Sequence, residues 1–174
     1  MRFDEDFQTD LARYPKGAFF REQSIWAIYV YRFGRRILQP GLARTMHNKL
    51  YSLLFLVVEA VTGISLPAEA KIGAGIHIHQ FDCIFIHRSA IIGRNCTLRH
   101  GVTIGNTKGE GPVPVVGDDV EFGAHAQILG KVRIGNGAKI GAMSVVLRDV
   151  PPGGTAIGIP AYIIRAYVLK RSSY

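Results

Sequence analysis

The chain has 174 residues and a formal net charge of +8, from 21 lysines and arginines against 13 aspartates and glutamates. This length predicts one domain with an extension. The positive charge indicates an anionic partner, such as a membrane surface or a phosphorylated small molecule. Because no dense basic run or aromatic-basic motif is present, we exclude nucleic acid as a partner. The two cysteines form no disulfide framework, and the N-terminus is too acidic and polar for a signal peptide, so we expect a cytoplasmic protein.

Residues 1–65 form a predicted helical N-terminal region. Residues 24–38 are rich in aromatic and aliphatic side chains, and Pro40 ends this segment. In residues 42–61 the apolar positions follow helical spacing, with Gly63 as a stop signal. This apolar stripe is compatible with peripheral membrane contact. Packing on the protein itself or on a neighbouring subunit is the favoured interpretation.

A six-residue repeat begins at Leu66 and continues to Val146. An aliphatic or aromatic anchor recurs at Leu66, Ile72, Ile78, Ile86, Ile92, Leu98, Ile104, Val116, Phe122, Ile128, Ile134, Ile140 and Val146. A second inward position, two residues earlier, is occupied by Ala70, Ile76, Ala90, Cys96, Val102, Val120, Ala126, Val132, Ala138 and Ser144. Inward residues two apart indicate short strands, and the Gly, Asn and Asp residues between them indicate bends. The pattern predicts a mainly β fold, a hexapeptide-repeat solenoid.

The repeat is interrupted twice and then ends. It slips by two residues around 81–85, and residues 106–115, reading NTKGEGPVPV, have no repeat character. The glycines and prolines of this second segment predict a loop that protrudes from the solenoid, where function is often located. We therefore predict a helical region at 1–65, a solenoid at 66–162 and a short C-terminal tail or helix at 163–174.

Two segments are more specific than a generic hexapeptide. Residues 96–106 read CTLRHGVTIGN, and residues 135–152 read GNGAKIGAMSVVLRDVPP, followed by GIPA at 158–161. They resemble the serine acetyltransferase branch of the hexapeptide acyltransferases, and most closely the O-acetyltransferases of colanic-acid and other exopolysaccharide pathways. The resemblance covers about residues 66–162. It implies a left-handed parallel β-helix, a homotrimer with active sites between subunits, and acetyl transfer from acetyl-CoA to a hydroxyl group.

The chain departs from the serine-specific pattern of that family. Ser65 and Gln80 stand where the family carries an Asp-His dyad, and Pro112-Val113-Pro114 stands at a loop Arg-His pair. The exopolysaccharide relatives show a His-His pair where this chain has His79-Gln80. These departures favour a sugar hydroxyl as the acceptor, with serine as the alternative.

Acetyl transfer to an alcohol needs a base near neutrality, for which histidine is suited. Ile78 and Leu98 are three hexads apart, counting the two-residue slip around 81–85. If a coil holds three hexads, one coil separates His79 from Arg99 and Gln80 from His100. We predict His79 and His100 as catalytic candidates, with His79 slightly favoured. The predicted substrate-binding residues are Gln80, Arg99, Asn106 and Lys108. His87 and His125 are weaker candidates for the base, and His77 and His47 weaker still.

The family resemblance also implies where acetyl-CoA binds, along the groove between solenoids toward the C-terminal coils. The matching positions are Gly123, Ala124, Lys139, Gly141, Ala142, Ser144 and Arg148. Small residues would let an extended thiol arm approach the backbone, while Lys139 and Arg148 would offset phosphate charge. Glycine and alanine at these positions are equally what a tight solenoid turn requires.

Two other function classes stay open. The first is a zinc enzyme of the γ-carbonic anhydrase type, with ligands from His79, His100 and His125. The spacing of these histidines differs from that family, and we expect no metal. The second is an inactive scaffold, suggested by Ser65 and Gln80 at the dyad positions.

Overall fold

A computed structural model describes residues 3–37, 44–79, 82–107 and 111–164 of the chain. Its N-terminal region contains α1 (Phe3–Leu11), a short 3-10 turn (Ala18–Phe20), α2 (Gln23–Ile37) and α3 (Arg44–Thr62). The end of α3 is set by Gly63, whose φ of +65° is left-handed and whose N–H donates to the Glu59 carbonyl. The two predicted helical segments and the stop at Gly63 are thus confirmed. Within the described residues, no helix is long and apolar enough to cross a membrane.

The rest of the described chain consists of short strands. They are β1 (Ile64–Ser65), β2 (Lys71–Ile72), β3 (His77–Ile78), β4 (Ile84–Ile86), β5 (Ile91–Ile92), β6 (Thr97–Leu98), β7 (Thr103–Gly105), β8 (Val115–Val116), β9 (Glu121–Phe122), β10 (Gln127–Leu129), β11 (Arg133–Ile134), β12 (Lys139–Ile140), β13 (Val145–Val146), β14 (Thr155–Gly158) and β15 (Ala161–Ile164).

From β1 to β13 every third strand stacks on the same sheet, and β14 then stacks on β12, which confirms the predicted parallel solenoid. The three sheets run β1-β4-β7-β10-β13, β2-β5-β8-β11 and β3-β6-β9-β12-β14. This arrangement is a triangular left-handed β-helix with three hexads in each coil. All the predicted anchors and their inward partners are buried, none more than 3% exposed. The apolar interior and the hydrogen bonds between coils therefore fix the register together.

The corners between the sheets use the bend residues that the sequence predicts. Asn95 and Asp119 both have a φ of +57°, and Gly75 and Gly137 on the same corner are also left-handed. The Asn95 N–H donates to the Ala74 carbonyl, and the Asp119 N–H donates to the Arg94 carbonyl. Asn and Asp tolerate this conformation better than bulkier residues do. Successive coils are therefore hydrogen-bonded to each other at this corner as well as along the strands.

The helices cover the N-terminal end of the solenoid through a buried ion pair. Arg32 Nε lies 2.8 Å from Asp10 Oδ2, and both side chains are at most 3% exposed. Asp10 Oδ1 also accepts the N–H groups of Gly75 and Ile76 at 2.7 and 2.9 Å. Arg32 donates to the carbonyl of Ile72 at 2.9 Å. The pair therefore satisfies backbone groups of the first coil that no preceding coil can reach.

The last described residues form one more strand at the end of the solenoid. Ala161–Ile164 forms β15, which pairs antiparallel with β14, from Gly158↔Ala161 to Thr155↔Ile164. The open edge of β14 supplies unpaired backbone groups, and β15 satisfies them. Gly158, with a φ of +102°, allows the chain to reverse before the cis Ile159–Pro160 bond. Residues 165–174 lie outside the described residues.

The buried ion pair gives a test of how the helices are attached. Asp10→Ala leaves the Arg32 guanidinium buried without its partner, so we expect the free energy of unfolding to fall by about 3–5 kcal/mol. Asp6→Ala is the matched control, because Asp6 lies 4.0 Å from Arg32 and is partly exposed. Its effect should stay under about 1 kcal/mol in urea unfolding. Equal losses in both variants would contradict this account.

Candidate active site

A cavity of about 330 Å³ lies on the outer face of the β3-β6-β9-β12 sheet. It is lined by His79, Thr97, Arg99, Glu121, Phe122, Gly123, Lys139 and Ile140. Side chains alternate between the two faces of a strand, so residues next to the buried anchors of four successive coils point outward here. The cavity brings together four residues predicted from the sequence, namely His79, Arg99, Gly123 and Lys139.

The register that aligns these residues is the one expected for three hexads per coil. His77 pairs with Thr97, and Ile78 pairs with Leu98. The His79 N–H donates to the Leu98 carbonyl at 3.0 Å. His79 is exposed and lies beside Arg99 in the cavity, as predicted. Gln80 lies outside the described residues.

The cavity carries more positive than negative side chains. Lys139 Nζ lies 3.4 Å from Glu121 Oε1, with the two side chains 60% and 59% exposed. An ion pair this exposed contributes little, about 0–1 kcal/mol, so an anionic ligand can compete for the lysine. Arg99 adds a second exposed cation. The electrostatics therefore suit a ligand that carries phosphate or carboxylate groups.

His77 lies behind His79 on the same face of the sheet. The two imidazole rings are 4.3 Å apart at their centroids, and the ring of Tyr14 meets His77 edge-on at 4.4 Å. Burial, with smaller contributions from the neighbouring His79 and Arg13, lowers the pKa of His77 to about 4. His77 is therefore neutral at pH 7, although it is next to an exposed histidine.

His100 belongs to a different ring contact. Its centroid lies 4.9 Å from that of His125, and the two planes meet at 88°. The backbone joins the same two residues, because the His125 N–H donates to the His100 carbonyl. The described ring contacts thus place His79 with His77 and His100 with His125. His100 stays a predicted catalytic candidate, but it does not line the cavity that holds His79 and Arg99.

The small residues predicted to bind the cofactor differ in their packing and exposure. A Cβ on Gly123 would strike the backbone of Gly141 and Ala142, so coil stacking alone demands glycine there. A Cβ on Gly141 would strike the side chain of Ile157. Ala124 is half-buried, and Ala142 is exposed.

Ser144 and Arg148 do not line the cavity that contains His79 and Arg99. Ser144 is fully buried, with its hydroxyl accepting the Gly158 N–H at 3.1 Å and donating to the Ala142 carbonyl at 3.4 Å. Its side chain therefore supports the coil from inside. Arg148 lines a second cavity of about 170 Å³ with residues of β13, β14 and β15, among them Tyr162. Of the predicted cofactor residues, Gly123 and Lys139 line the first cavity and Arg148 lines the second, while the other four line neither.

The predicted loop, residues 106–115, falls between two strands of the solenoid. It follows β7, which ends at Gly105, and returns at Val115 in β8. Asn106 is half-buried at its start, and Lys108 lies outside the described residues. Ser65, at the dyad position, lies on β1 opposite Phe85. It is therefore on a different sheet from His79.

Three groups around the cavity are absent from the sequence prediction. Thr97 and Glu121 occupy outward positions next to the anchors Leu98 and Phe122, and this period-2 alternation is the signal that could have identified them. Tyr14 is joined to the site by a contact across 64 residues, with its hydroxyl 3.2 Å from the Ile78 carbonyl oxygen. No local sequence pattern predicts such a contact.

Comparisons with known proteins agree with this fold. Residues 114–148 match the model of the bacterial transferase hexapeptide (six repeats). The serine acetyltransferase of Synechococcus elongatus is 40% identical over 114 residues, which are 64% of this chain and 47% of that protein. The serine acetyltransferase of Helicobacter pylori is 38% identical over 130 residues, 71% of this chain and 75% of that protein.

Solved structures give the same result over more of the chain. Soybean serine acetyltransferase complexed with serine superposes with a TM-score of 0.79 at 32% identity, covering 93% of this chain and 68% of that one. A serine acetyltransferase in complex with CoA superposes with a TM-score of 0.77 at 30% identity, covering 91% of this chain and 66% of that one. Both superpositions include most of the helical region as well as the solenoid.

The stacked hexads and the matching repeat model define the class of hexapeptide-repeat acyltransferases. The chain belongs to the serine acetyltransferase family. It spans about half the length of several curated relatives, 47% of the Synechococcus protein among them. Because these relatives are named serine acetyltransferases, the predicted closer kinship with exopolysaccharide acetyltransferases is not supported. Within the described residues, no three metal-ligating side chains are grouped as a metal site.

The low pKa of His77 gives a test of its environment by pH. Its folded pKa of about 4 lies below the ordinary 6.5, so the folded chain binds fewer protons than the unfolded chain between these values. The contribution of His77 to stability should be fully present above pH 6.5 and be lost as the pH drops toward 4. After a discount for solvent screening, this loss should amount to about 1 kcal/mol. Urea unfolding of wild type and His77→Gln from pH 7.5 to 4.5 measures it. Parallel curves for the two proteins would contradict the assignment.

Proposed function

We propose that the chain is an acetyl-CoA-dependent O-acetyltransferase and that His79 is its general base. The observation that carries this proposal is an exposed imidazole in a cavity with two cations, Arg99 and Lys139, in a chain of this family. The base removes a hydroxyl proton, while the cations suit the phosphates of a CoA thioester. One related structure contains CoA, which supports acetyl-CoA as the donor.

The reaction follows from these groups. His79 accepts the proton of the acceptor hydroxyl as its oxygen attacks the thioester carbonyl carbon. The carbon–sulfur bond then breaks, the new ester leaves, and the CoA thiolate takes the proton from the imidazolium. No acyl-enzyme is needed, because the thioester is reactive enough for direct attack. Lys139 would bind a phosphate group of the ligand in place of its present ion pair with Glu121.

Serine is the acceptor that the comparisons support best. The relatives are named serine acetyltransferases, and the soybean enzyme is complexed with serine. A sugar hydroxyl is the second candidate. It is favoured by Ser65 and Gln80 at the family's dyad positions and by Pro112-Val113-Pro114 in the loop. Both acceptors are compatible with the same base and the same donor.

The fold and the cysteines support proposals for the oligomeric state and the cellular compartment. We propose a homotrimer, because the cavity lies on a flat outer face of the solenoid where a second copy would form the opposite wall. Cys83 and Cys96 are both free thiols, which supports the cytoplasmic setting predicted from the sequence. Burial raises the pKa of Cys96 to about 11, so this thiol is inert.

A thiol-release assay with acetyl-CoA, run with serine and with a panel of sugars, tests both the donor and the acceptor. We expect CoA release that requires one acceptor and falls about 100-fold or more in His79→Ala, since general-base catalysis contributes this much. His87→Ala is the matched control, because His87 is a half-buried histidine on another sheet whose Nδ1 accepts the Ser89 N–H. His100→Ala should lose less than His79→Ala. The proposal fails if no acceptor stimulates release, or if His79→Ala retains full activity.

Lys139 and Lys131 form a matched pair for the cofactor site. Lys139→Ala removes a cation of the cavity, so the KM for acetyl-CoA should rise about fivefold, equivalent to about 1 kcal/mol. Lys131 is exposed at a bend outside this cavity, and Lys131→Ala should leave the KM unchanged. Steady-state kinetics at low salt measures both. Identical values for the two variants would argue against phosphate binding at Lys139.

A further inference from the structure

We propose that His77 and Tyr14 are positioning residues that hold the imidazole of His79 in its working orientation. This inference rests on the proposed function of His79. It also gives the N-terminal region a role in catalysis, because Tyr14 lies 63 residues before His77. The three rings form a continuous row, with His77 in the middle, 4.4 Å from Tyr14 and 4.3 Å from His79.

Tyr14 is fixed at the far end of the row by the backbone of the strand that carries both histidines. Its hydroxyl accepts the Ile78 N–H at 2.8 Å and lies 3.2 Å from the Ile78 carbonyl oxygen. Buried Ser24, on α2, donates to the same carbonyl at 3.2 Å. The tyrosine ring therefore has one defined place against β3, and it forms a fixed wall for His77.

Arg13 attaches the same segment to the next coil. Its guanidinium donates to the carbonyls of Gly75 and Asn95 at 2.6 and 2.8 Å, and to Thr97 Oγ1 at 2.8 Å. Thr97 is the strand partner of His77 and lines the cavity that contains His79. The turn after α1 thus contacts both strands that present the predicted base and its neighbour Arg99.

A neutral His77 is compatible with this positioning role. A charged neighbour at 4.3 Å would repel a protonated His79 at the moment when it holds the proton of the acceptor. A neutral ring restricts the rotamers of His79 without this repulsion. An exposed histidine with no such wall would spend part of its time in unproductive orientations, which lowers kcat more than substrate binding.

The test compares His77→Ala, His77→Phe and Tyr14→Leu with wild type in steady-state kinetics. His77→Ala should lower kcat about tenfold and change the KM for acetyl-CoA less than twofold, because it loosens the base without touching the donor site. His77→Phe keeps a flat ring between Tyr14 and His79, so its kcat should recover to within about threefold of wild type. Tyr14→Leu should resemble His77→Ala. Ile91→Ala, on the outer face of another sheet, is the control and should leave both constants unchanged.

The outcomes separate this inference from the proposed function. If His79→Ala is inactive while His77→Ala and Tyr14→Leu both keep wild-type kcat, the positioning role is wrong and the base assignment stands. If His79→Ala keeps full activity, the proposed base itself is wrong. Circular dichroism and thermal unfolding check that each variant folds. Should His77→Ala fail to fold, His77→Gln is compared with His77→Phe instead, and equal kcat values in these two would overturn the inference.

Discussion

The register between successive coils is the constraint on which the site depends. Each strand donates and accepts backbone hydrogen bonds with the strands one coil before and after it, while anchors such as Ile78 and Leu98 fill the interior. A slip of one residue would turn the buried anchors to solvent, so the register has no near alternative. Because the interior is fixed in this way, the outward residues are fixed as well. His79 and Arg99 therefore meet in one cavity.

The helical region is part of this arrangement rather than a separate attachment. A solenoid has exposed backbone groups at its first coil, and polar side chains of the helices satisfy them. Asp10 and Arg32 bind the backbone of residues 72–76, and the Tyr31 hydroxyl accepts the Ile72 N–H at 3.0 Å. The Tyr14 hydroxyl binds Ile78 in the same manner, one hexad further along. The side chains that satisfy the first coil therefore include Tyr14, whose ring also packs against His77 beside His79.

Much of the fold follows from the sequence, because every hexad repeats the same local physics. The anchors, the bends and the protruding loop are readable from residue type and period alone, and His79 with Arg99 follows from counting three hexads per coil. The row formed by Tyr14, His77 and His79 does not follow, because it depends on where a helix lands on a distant strand. The strand β15 was missed for a similar reason, since its pairing is dictated by the open edge of β14. The acceptor is the least readable feature, because Ser65 and Gln80 favour one substrate class while the relatives favour another.

A crystal structure with bound CoA would show whether acetyl transfer takes place in the cavity that contains His79. We expect the CoA sulfur to lie in the cavity on the β3-β6-β9-β12 sheet, facing the space in front of His79 where the acceptor hydroxyl would bind. We also expect phosphate oxygens near Lys139. A sulfur beside the pair His100 and His125, or on a different sheet, would contradict the assignment of this cavity as the site of acetyl transfer.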